Sequence, residues 1–403
     1  MINTLYLSRT GMLEPLGQSQ VLSYLMGLSK QYRVTLISFE RADDLRNTDH
    51  VAYVERLCEQ HGIIWIKRRF HNRPRLLAQL WNLLVLFMLT IREVWRNKPA
   101  LIHARSYIPA AAAWSAGRLS KTPYVFDMRS LWAEELVTSD RISRGSWLHR
   151  TIDWFEHRML KDADAIVSLT RAAVGWLSDR HGDAIENRRM FVIPTCTDLA
   201  RFESRNEVAT GPLIFGCHGS VLNRWFDADL LGRTFERLAI QHPYARFEII
   251  TREPPQSVLV ALRGAVSYQD RLEIFAESPL LIHDRLKLHD LSIFFYASGS
   301  ASELGRSPTR MGEALGCGIP VLTNGQIGDV EELVITHNVG VVLASREDEA
   351  IDIAIERALD LARNQEAAKR CRSVAEKVYS LEAGTNAYHT IYENVRTGAI
   401  RPS

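Results

Sequence analysis

The sequence predicts an α/β protein built from two Rossmann-like, doubly wound domains that face each other across a cleft. A chain of 403 residues is too long for one ordinary compact core, so two domains are expected. The composition, 46% hydrophobic and 24% charged, is typical of globular enzymes. Short apolar runs rich in β-branched residues alternate with helical patterns in two successive series, which indicates two parallel sheets covered by helices.

The first series predicts a domain over residues 1–203. Its apolar runs predict buried strands at residues 4–8, 34–39, 63–66, 101–104, 124–128, 165–169 and 191–193. Helical patterns between them cover residues 19–31, 48–61, 76–96, 110–119, 147–161 and 171–181. The polar run RFESRNEVATGP, within residues 198–212, then interrupts the periodicity and predicts a linker.

The second series predicts a domain over residues 204–380. Its strands are expected at residues 213–217, 245–251, 291–296 and 320–323, with a helical tail after Asp348. A last helix, over residues 381–400, is expected to pack back on the first domain. Two halves of this kind match a pair of Rossmann-like domains.

Charge, cysteines and the N-terminus exclude several classes of protein. The formal net charge of +2 gives no argument for a nucleic-acid partner. The five cysteines are scattered and show no CxxC spacing, so neither a disulfide framework nor a metal site is predicted. The N-terminal residues lack the basic and apolar regions of a secretory signal, which favours a cytoplasmic protein.

The first predicted strand is followed by GQSQ and not by a G-x-G-x-x-G fingerprint, so a nicotinamide or flavin cofactor has no support. Gly17 opens this run. In the predicted loop, the absence of a side chain would let the backbone approach a ligand. Gly17 is therefore a candidate ligand contact.

The most informative segment covers residues 298–333, because it begins where a predicted strand ends. Ligands of open α/β sheets bind beyond the carboxyl ends of strands. Ser307 is a good N-cap, Pro308 suits the first helical position, and Thr309 continues the helix. The free N–H groups at such a helix start are expected to bind a diphosphate without metal.

Charged side chains surround this helix start. Arg306 and Arg310 are expected to neutralise the remaining phosphate charge. Glu313, inside the helix, is a candidate to accept two hydrogen bonds from the vicinal diol of a ribose. The alternative is an ordinary helix cap with a solvated helical acid at Glu313.

The segment Ser307-Pro308-Thr309-Arg310-Met311-Gly312-Glu313, followed by GCGIPV at residues 316–321, resembles a known donor-site motif. It is the motif of family 4 retaining glycosyltransferases of the GT-B fold, in the subset with S-P-T-K/R-x-G-E. Residues 15–30, 162–177 and 192–202 resemble further parts of that family. The resemblance implies that Glu313 binds ribose and that the turn before it binds phosphate. It also implies retention of anomeric configuration, a nucleoside-diphosphate sugar as donor, and no cofactor.

The donor motif departs from the family pattern at its first acidic position. Many members carry two glutamates eight residues apart, but Gly305 stands eight residues before Glu313. Glu303 is the candidate to replace the missing carboxylate in catalysis.

A second departure follows the first strand of the second domain, where many members carry an Arg and a Lys for the pyrophosphate. This chain has CHGSVLNRWF, in which Gly219 precedes Ser220 at the place of the expected Arg. Arg224 is one candidate for the missing charge, and Arg252, after the next strand, is another. For each arginine the alternative is an ordinary surface charge.

In the first domain, FDMRSLWAEE at residues 126–135 ends a predicted strand and directs Asp127 and Arg129 into the crevice, which makes both candidate catalytic residues. It resembles the F-D-M-R-G-x-W-A-D-E segment of the same subset. Arg129 is then expected to stabilise the leaving phosphate or to orient the acceptor, the alternative being a structural ion pair with Asp127 or Glu134. Arg105 is placed similarly, and His103 is expected to be a core histidine.

Residues 67–98, bounded by Lys67 and Lys98, carry eight Lys/Arg residues and the single acid Glu93 around an apolar helix. The apolar stretch is expected to be a buried or interfacial helix and not a membrane span. Basic flanks beside an apolar surface favour anionic lipid, and a lipid-linked or polysaccharide acceptor at the inner face of the membrane would suit them. The alternative is a core helix with a solvated basic loop.

The sequence therefore favours a hexosyltransferase-type glycosyltransferase, and two alternatives stay open. Nucleotide-sugar epimerases share the two-domain fold, so an isomerase is one of them. The departures at Gly305 and Ser220 also permit a non-catalytic nucleotide-sugar-binding or membrane scaffold protein.

Overall fold

The computed structural model of the chain describes residues 1–186, 189–205, 207, 210–263, 267–278 and 281–400. The side chains of Arg75, Leu76 and Asp183 are outside this description. Contacts between Cα atoms divide the chain into two compact units. Unit 1 consists of Met1–Pro194 with the segment that begins at Gly384, and unit 2 is Thr195–Ala383.

Unit 1 is built on a seven-stranded parallel sheet. Its strands are β1 (Ile2–Ser8), β2 (Tyr32–Glu40), β3 (Ile64–Arg69), β4 (Leu101–Arg105), β5 (Tyr124–Asp127), β6 (Ala165–Ser168) and β7 (Met190–Val192). The strand order β3-β2-β1-β4-β5-β6-β7 reverses between β1 and β4. In doubly wound sheets, the crevice at such a reversal is where ligands bind.

Helices connect and cover the strands of unit 1. They are α1 (Pro15–Gly17), α2 (Ser23–Leu28), α3 (Thr48–Gln60), α4 (Arg75–Asn97), α5 (Tyr107–Ser120), α6 (Trp132–Thr138), α7 (Trp147–Asp162) and α8 (Arg171–His181). The buried faces of β1, β2, β4, β5 and β6 form the core of this unit, because strands covered on both sides need apolar residues at nearly every position.

Unit 2 contains a six-stranded parallel sheet. Its strands are β8 (Ile214–His218), β9 (Arg246–Ile250), β10 (Leu272–Phe275), β11 (Leu291–Phe294), β12 (Val321–Asn324) and β13 (Gly340–Leu343). The order β10-β9-β8-β11-β12-β13 reverses between β8 and β11. The predicted fold class, two doubly wound parallel-sheet domains, is confirmed.

Helices also cover the second sheet. They are α9 (Ala228–Gln241), α10 (Pro255–Ala261), α11 (Ile282–Leu286), α12 (Ala301–Leu304), α13 (Thr309–Gly316), α14 (Val330–His337), α15 (Asp348–Ala362) and α16 (Gln365–Val374). The last helix, α17 (Leu381–Thr397), belongs to unit 1 from Gly384 onward.

Most predicted elements agree with the structure, and the differences have physical causes. The sequence missed β10 and β13, which are edge strands of four residues with partly exposed faces and too short for a periodic signal. The predicted helix over residues 19–31 is composite, because a π-turn over Gln18–Leu22 joins α1 to α2. A seven-residue helix, α6, follows β5, where the sequence predicted no helix.

The first part of the polar run expected to be a linker, residues 201–205, packs into unit 2, whereas residues 207 and 210–212 are exposed. Phe202 is 4% exposed, and Arg205 donates to the carbonyl oxygens of His289 and Ala362 at 3.1 and 3.2 Å. Polar residues therefore bury here because backbone carbonyls satisfy them. Residues 206, 208 and 209 of the run lie outside the described residues. The contact division at Pro194 precedes the predicted boundary at residue 203.

Candidate donor and acceptor sites

The reversal of strand order in unit 2 places two loops side by side, one after β8 and one after β11. Gly219 begins the first loop in the left-handed region, with φ +90°, which a side chain would strain. Its N–H donates to the carbonyl oxygen of Ile250 at 2.9 Å. A Cβ at this position would lie 3.0 Å from Nη2 of Arg310. The loop after β8 therefore lies directly against the side chain that the donor motif contributes.

Glu253, which sequence reasoning missed, fixes this loop. Its carboxylate accepts hydrogen bonds from the backbone N–H groups of Val221 at 2.7 Å and Leu222 at 3.1 Å. The Ser220 hydroxyl donates to the same carboxylate. Ser220 thus anchors the loop instead of supplying the positive charge of the family pattern. The signal for Glu253 was its place just beyond the end of β9, beside the predicted Arg252.

The helix that carries the donor motif begins one residue later than expected. The helix α13 starts at Thr309, with Pro308 in extended conformation before it, and no side chain in the described part of the chain caps it. The predicted N-cap function of Ser307 is wrong, because its hydroxyl instead accepts from the Thr195 backbone N–H at 3.2 Å. The Thr195 hydroxyl donates to the Ser307 carbonyl oxygen at 2.6 Å. The N–H groups at the start of α13 are consequently not occupied by a capping side chain.

Arg310 extends from the first turn of α13 across the end of the sheet. Its Nη2 donates to the Ser220 carbonyl oxygen at 2.9 Å, and its guanidinium lies over the ring of Phe226 at 5.1 Å. Nη1 is buried and has no hydrogen-bond partner among the described residues. Aromatic faces stabilise the cation without using its N–H groups, so Arg310 keeps donors for an anionic ligand.

Glu313 lies one turn further along α13 and is not a solvated helical acid. Its Oε2 is 2.9 Å from Nε2 of His218, the last residue of β8. The His218 side chain is 2% exposed, and burial lowers its pKa below 6.5, so the neutral ring donates to the carboxylate. The Glu313 side chain remains 24% exposed, which leaves its other oxygen for a ligand. His218 was missed, although its place at a strand end was the available signal.

Glu303 does not stand open as a replacement for the missing glutamate at Gly305. Glu303 is 2% exposed, and its Oε2 lies 2.5 Å from Nε of Arg306. The hydroxyl of Ser302 donates to Oε1 at 3.0 Å. Burial raises the pKa of Glu303 in spite of these partners. The structure therefore gives Glu303 a role in fixing the segment before α13, and the expected catalytic role is not supported.

The other candidate arginines of unit 2 differ in environment. The guanidinium of Arg306 lies 3.5 Å from the ring centroid of Trp225, and that of Arg224 lies 4.7 Å from the same centroid. Arg252 is exposed after the end of β9. The aromatic ring of Trp225 thus gathers two of the three predicted cations near the loop after β8.

In unit 1, Gly17 lies at the end of α1 and not in a loop. Its backbone is right-handed, with φ −64°, and a Cβ would lie 1.9 Å from the carbonyl oxygen of Gly11. The missing side chain therefore makes room for the preceding turn of the chain. This close approach of two backbone segments explains the glycine without any ligand.

Asp127 is the centre of a buried polar cluster at the end of β5. Its Oδ2 accepts from the Tyr388 hydroxyl of α17 at 3.0 Å and lies 3.4 Å from Nε2 of His103. Its Oδ1 lies 3.8 Å from Nη1 of Arg129. Burial alone would raise the pKa of Asp127, but Arg129 and His103 together hold it below its ordinary value. Asp127 is 1% exposed, so it supports neighbouring side chains from beneath.

Arg129 is also part of this cluster, in the left-handed region with φ +65°. Its Nη2 donates to the Gln20 side-chain oxygen at 3.4 Å. The alternative partner Glu134 is taken by Arg144, with Nη2 to Oε2 at 2.5 Å. His103 is 1% exposed and burial lowers its pKa, which confirms that it is a core histidine. A strained backbone that presents an arginine is typical of ligand sites.

Among the described residues, Asp153, Glu156 and His181 form one group whose oxygen and nitrogen atoms lie close enough to hold a metal ion. The Tyr107 hydroxyl donates to Glu156 at 2.5 Å, and His181 Nε2 lies 3.2 Å from the same carboxylate. Arg180 pairs with Asp153 at 2.8 Å. These contacts satisfy the group as a structural network between α7 and α8.

Known proteins resemble this chain in part by sequence and throughout by fold. Residues 18–196 match the family model of the glycosyl transferase 4-like domain. By sequence, no curated protein matches the chain. The chain is similar in structure to sucrose-phosphate synthase from Thermosynechococcus elongatus, with a TM-score of 0.73, 14% identity and coverage of 99% of this chain and 100% of that one.

Two further solved structures are similar over nearly their whole length. HepE from Anabaena, in complex with UDP and glucose, gives a TM-score of 0.66 at 16% identity over 98% of this chain and 100% of that one. A candidate UDP-N-acetylglucosamine 2-epimerase from Listeria monocytogenes gives 0.60 at 13% identity over 100% and 98%. Residues 18–196 are thus similar to a glycosyl transferase 4-like domain, and the whole chain has the two-domain GT-B fold.

Proposed function

We propose that the protein is a retaining glycosyltransferase that moves a hexosyl group from a nucleoside-diphosphate sugar to a glycan, polysaccharide or lipid-linked hydroxyl. One observation carries the proposal. Arg310, with N–H donors to spare, and Glu313, held by a buried neutral histidine, lie together at the strand reversal of unit 2. The first side chain suits a diphosphate and the second suits the diol of a ribose.

The donor in this proposal binds unit 2 without a metal ion. The uncapped start of α13 and Arg310 would neutralise the diphosphate, a role that metal ions take elsewhere. The anomeric carbon–oxygen bond to the diphosphate breaks and a bond to the acceptor oxygen forms on the same face. The acceptor proton passes to the leaving phosphate oxygen. This same-face path is preferred because Glu303 is buried against Arg306 and offers no free nucleophile.

The donor assignment is tested by binding of UDP, and of other nucleoside diphosphates, to Glu313→Ala and Glu313→Gln. Loss of hydrogen bonds to a charged group is expected to weaken binding by about 10- to 100-fold. Glu332→Ala removes an exposed acid from α14 and serves as the matched control. Calorimetry that shows equal affinities for the wild type and Glu313→Ala would reject the ribose role.

The reaction itself is tested by incubation with a nucleotide sugar and a candidate acceptor. Release of nucleotide that depends on the acceptor supports transfer. Epimerised donor without an acceptor supports an isomerase, the alternative favoured by the likeness to the Listeria protein. Absence of nucleotide-sugar binding supports a non-catalytic membrane scaffold, which the departures at Gly305 and Ser220 would explain.

We also propose that unit 1 binds the inner face of the cytoplasmic membrane through α4. By length and composition, Leu77–Asn97 could cross a membrane, yet 39% of its most apolar window is buried in the protein, as in a helix packed along one side. The other side exposes a stripe formed by Leu77, Leu80, Trp81, Leu84, Met88 and Trp95. Exposed Arg68 and Arg69 of β3 precede it in the chain. An apolar stripe with basic neighbours is typical of interfacial helices.

Cosedimentation with vesicles tests this surface. The wild type is expected to bind vesicles that contain phosphatidylglycerol and not vesicles of phosphatidylcholine alone. Trp81→Gln with Trp95→Gln should reduce binding several-fold, because it removes much of the exposed apolar area. Ile240→Gln, at a 63% exposed apolar position in unit 2, is the control. If the tryptophan variant bound the vesicles as well as the wild type, the membrane role of α4 would be rejected.

A further inference from the structure

The end of β4 in unit 1 carries a buried cation that has no hydrogen-bonding or ion-pair partner among the described residues. Arg105 is 7% exposed, and its Nε is buried without an acceptor. Burial, and then repulsion by Arg129, lowers the pKa of Arg105. Arginine is rarely buried so deeply unless it is paired, because an isolated charge loses its hydration without compensation. The position is therefore costly to the free protein.

The neighbouring carboxylate does not resolve this imbalance. Asp127 is the register partner of Arg105 across β4 and β5, but its oxygens face Tyr388, His103 and Arg129. His103 is neutral because burial lowers its pKa. The cluster thus contains two guanidinium groups and one carboxylate, which pairs with Arg129, so it keeps an excess positive charge. The Arg129 side chain is 9% exposed, so water does little to screen it.

The cluster also occupies the ligand-binding position of its sheet. Arg105 pairs in register with Ser8 at the end of β1, across the reversal of strand order. The helix α5 begins two residues after Arg105, and no side chain caps its first turn. Its leading N–H groups add positive potential at the same edge of the sheet. Two guanidinium groups and a helix start are the elements that bind phosphoryl groups elsewhere.

We propose that Arg105 and Arg129 bind a phosphoryl group of the acceptor, so that this enzyme glycosylates an anionic, phosphate-bearing acceptor. The inference rests on the proposed glycosyltransferase function. A phosphoryl group is favoured over a carboxylate because two guanidinium forks offer more donors than two carboxylate oxygens can accept. The phosphoryl group belongs either to a sugar phosphate, a monoester, or to a lipid-linked sugar, a diester.

Thermal unfolding of the full chain tests the site, with inorganic phosphate added at constant ionic strength and with UDP present to occupy the donor site of unit 2. Phosphate is expected to raise the melting temperature of the wild type. Arg105→Met should abolish this rise and should melt no lower than the wild type without phosphate, because the variant removes an unpaired buried charge. Arg33→Met removes the same charge from an exposed position of β2 and should leave the phosphate response intact.

A second variant and two further probes sharpen the outcome. Arg105→Lys keeps the charge but loses the planar fork, and its apparent affinity for phosphate should fall about tenfold or more. Methyl phosphate in place of phosphate tests the monoester source, and dimethyl phosphate tests the diester source. Binding of either one that is lost in Arg105→Met supports the proposal.

Three results would overturn it. Arg105→Met that responds to phosphate as the wild type does would remove Arg105 from the site. A variant that melts well below the wild type would assign Arg105 a structural role. If Arg105→Met lost as much affinity for UDP as for phosphate, Arg105 would belong to the donor site. UDP calorimetry on the wild type is read separately, so that failure of nucleotide binding refutes the proposed function and not the anion site.

Discussion

The polar clusters of the two units occupy the same place in two similar sheets, yet they are built in opposite ways. In unit 2, Arg310 rests on aromatic rings and Glu313 is 24% exposed, so both keep bonding capacity for a ligand. In unit 1, Asp127 is buried beneath Tyr388 and His103, and its Oδ2 contacts these two side chains instead of a ligand. The sheet topology therefore fixes where a site lies. The partners of each charged side chain decide whether that side chain binds a ligand or supports its neighbours.

The largest effect that would break this comparison is expected at Asp127. Asp127→Asn leaves Arg129 without its carboxylate partner, and loss of one partner of a buried ion pair costs about 3–5 kcal/mol. Urea denaturation should show a correspondingly lower free energy of unfolding. Asp179→Asn, at an exposed position of α8, should change it by no more than about 0.5 kcal/mol. Similar values for both variants would contradict the supporting role of Asp127.

At Arg310 the opposite balance is expected, with affinity affected more than stability. Arg310→Ala removes charge-assisted hydrogen bonds to the donor diphosphate, so the Kd for UDP should rise about 10- to 100-fold. Calorimetry measures the effect. Arg246→Ala, an exposed residue at the opposite end of the sheet, is the matched control and should bind UDP normally. A normal Kd in Arg310→Ala would place the phosphates elsewhere.

Gly17 separates packing from ligand binding in unit 1. Gly17→Ala forces a methyl group against the Gly11 carbonyl oxygen, and such overpacking is expected to lower the free energy of unfolding by about 1–3 kcal/mol. Gly175→Ala, in α8 with open space around its Cβ, should raise it by about 0.5–1 kcal/mol. Thermal and urea unfolding of both variants provide the test. A stable Gly17→Ala protein that no longer binds ligand would restore the binding role predicted from the sequence.

The smallest effect concerns the buried histidine of each cluster. Burial lowers the pKa of His103 and of His218 below 6.5, so the unfolded chain binds protons more readily than the folded one. Their contribution to stability is complete above pH 6.5 and is lost as the pH falls from 6.5 toward the folded pKa values. Urea unfolding at several pH values should show this slope, and His218→Gln should flatten it. A slope of the opposite sign would mean that the histidines are charged in the folded protein.

Much of the donor site could be predicted from the sequence because it is local. Residues 307–313 lie within one helix start, so spacing alone brings Arg310 and Glu313 to the same edge of the sheet. The helix boundary was wrong by one residue, because the contact with Thr195 holds Ser307 away from the capping position. His218 and Glu253 were missed because their partners lie far along the chain.

By itself the sequence determined the fold class, since apolar periodicity and strand length depend on neighbouring residues. It also placed several charged residues, such as Asp127 and Arg252, at the carboxyl ends of strands. Only the tertiary structure decided which of those charges are paired. Glu303 pairs with Arg306, and Asp127 accepts from Tyr388, which is 261 residues away, whereas Arg105 forms no ion pair among the described residues and its Nε has no acceptor there. Burial and pairing depend on packing between distant segments, and a local sequence pattern does not predict that packing.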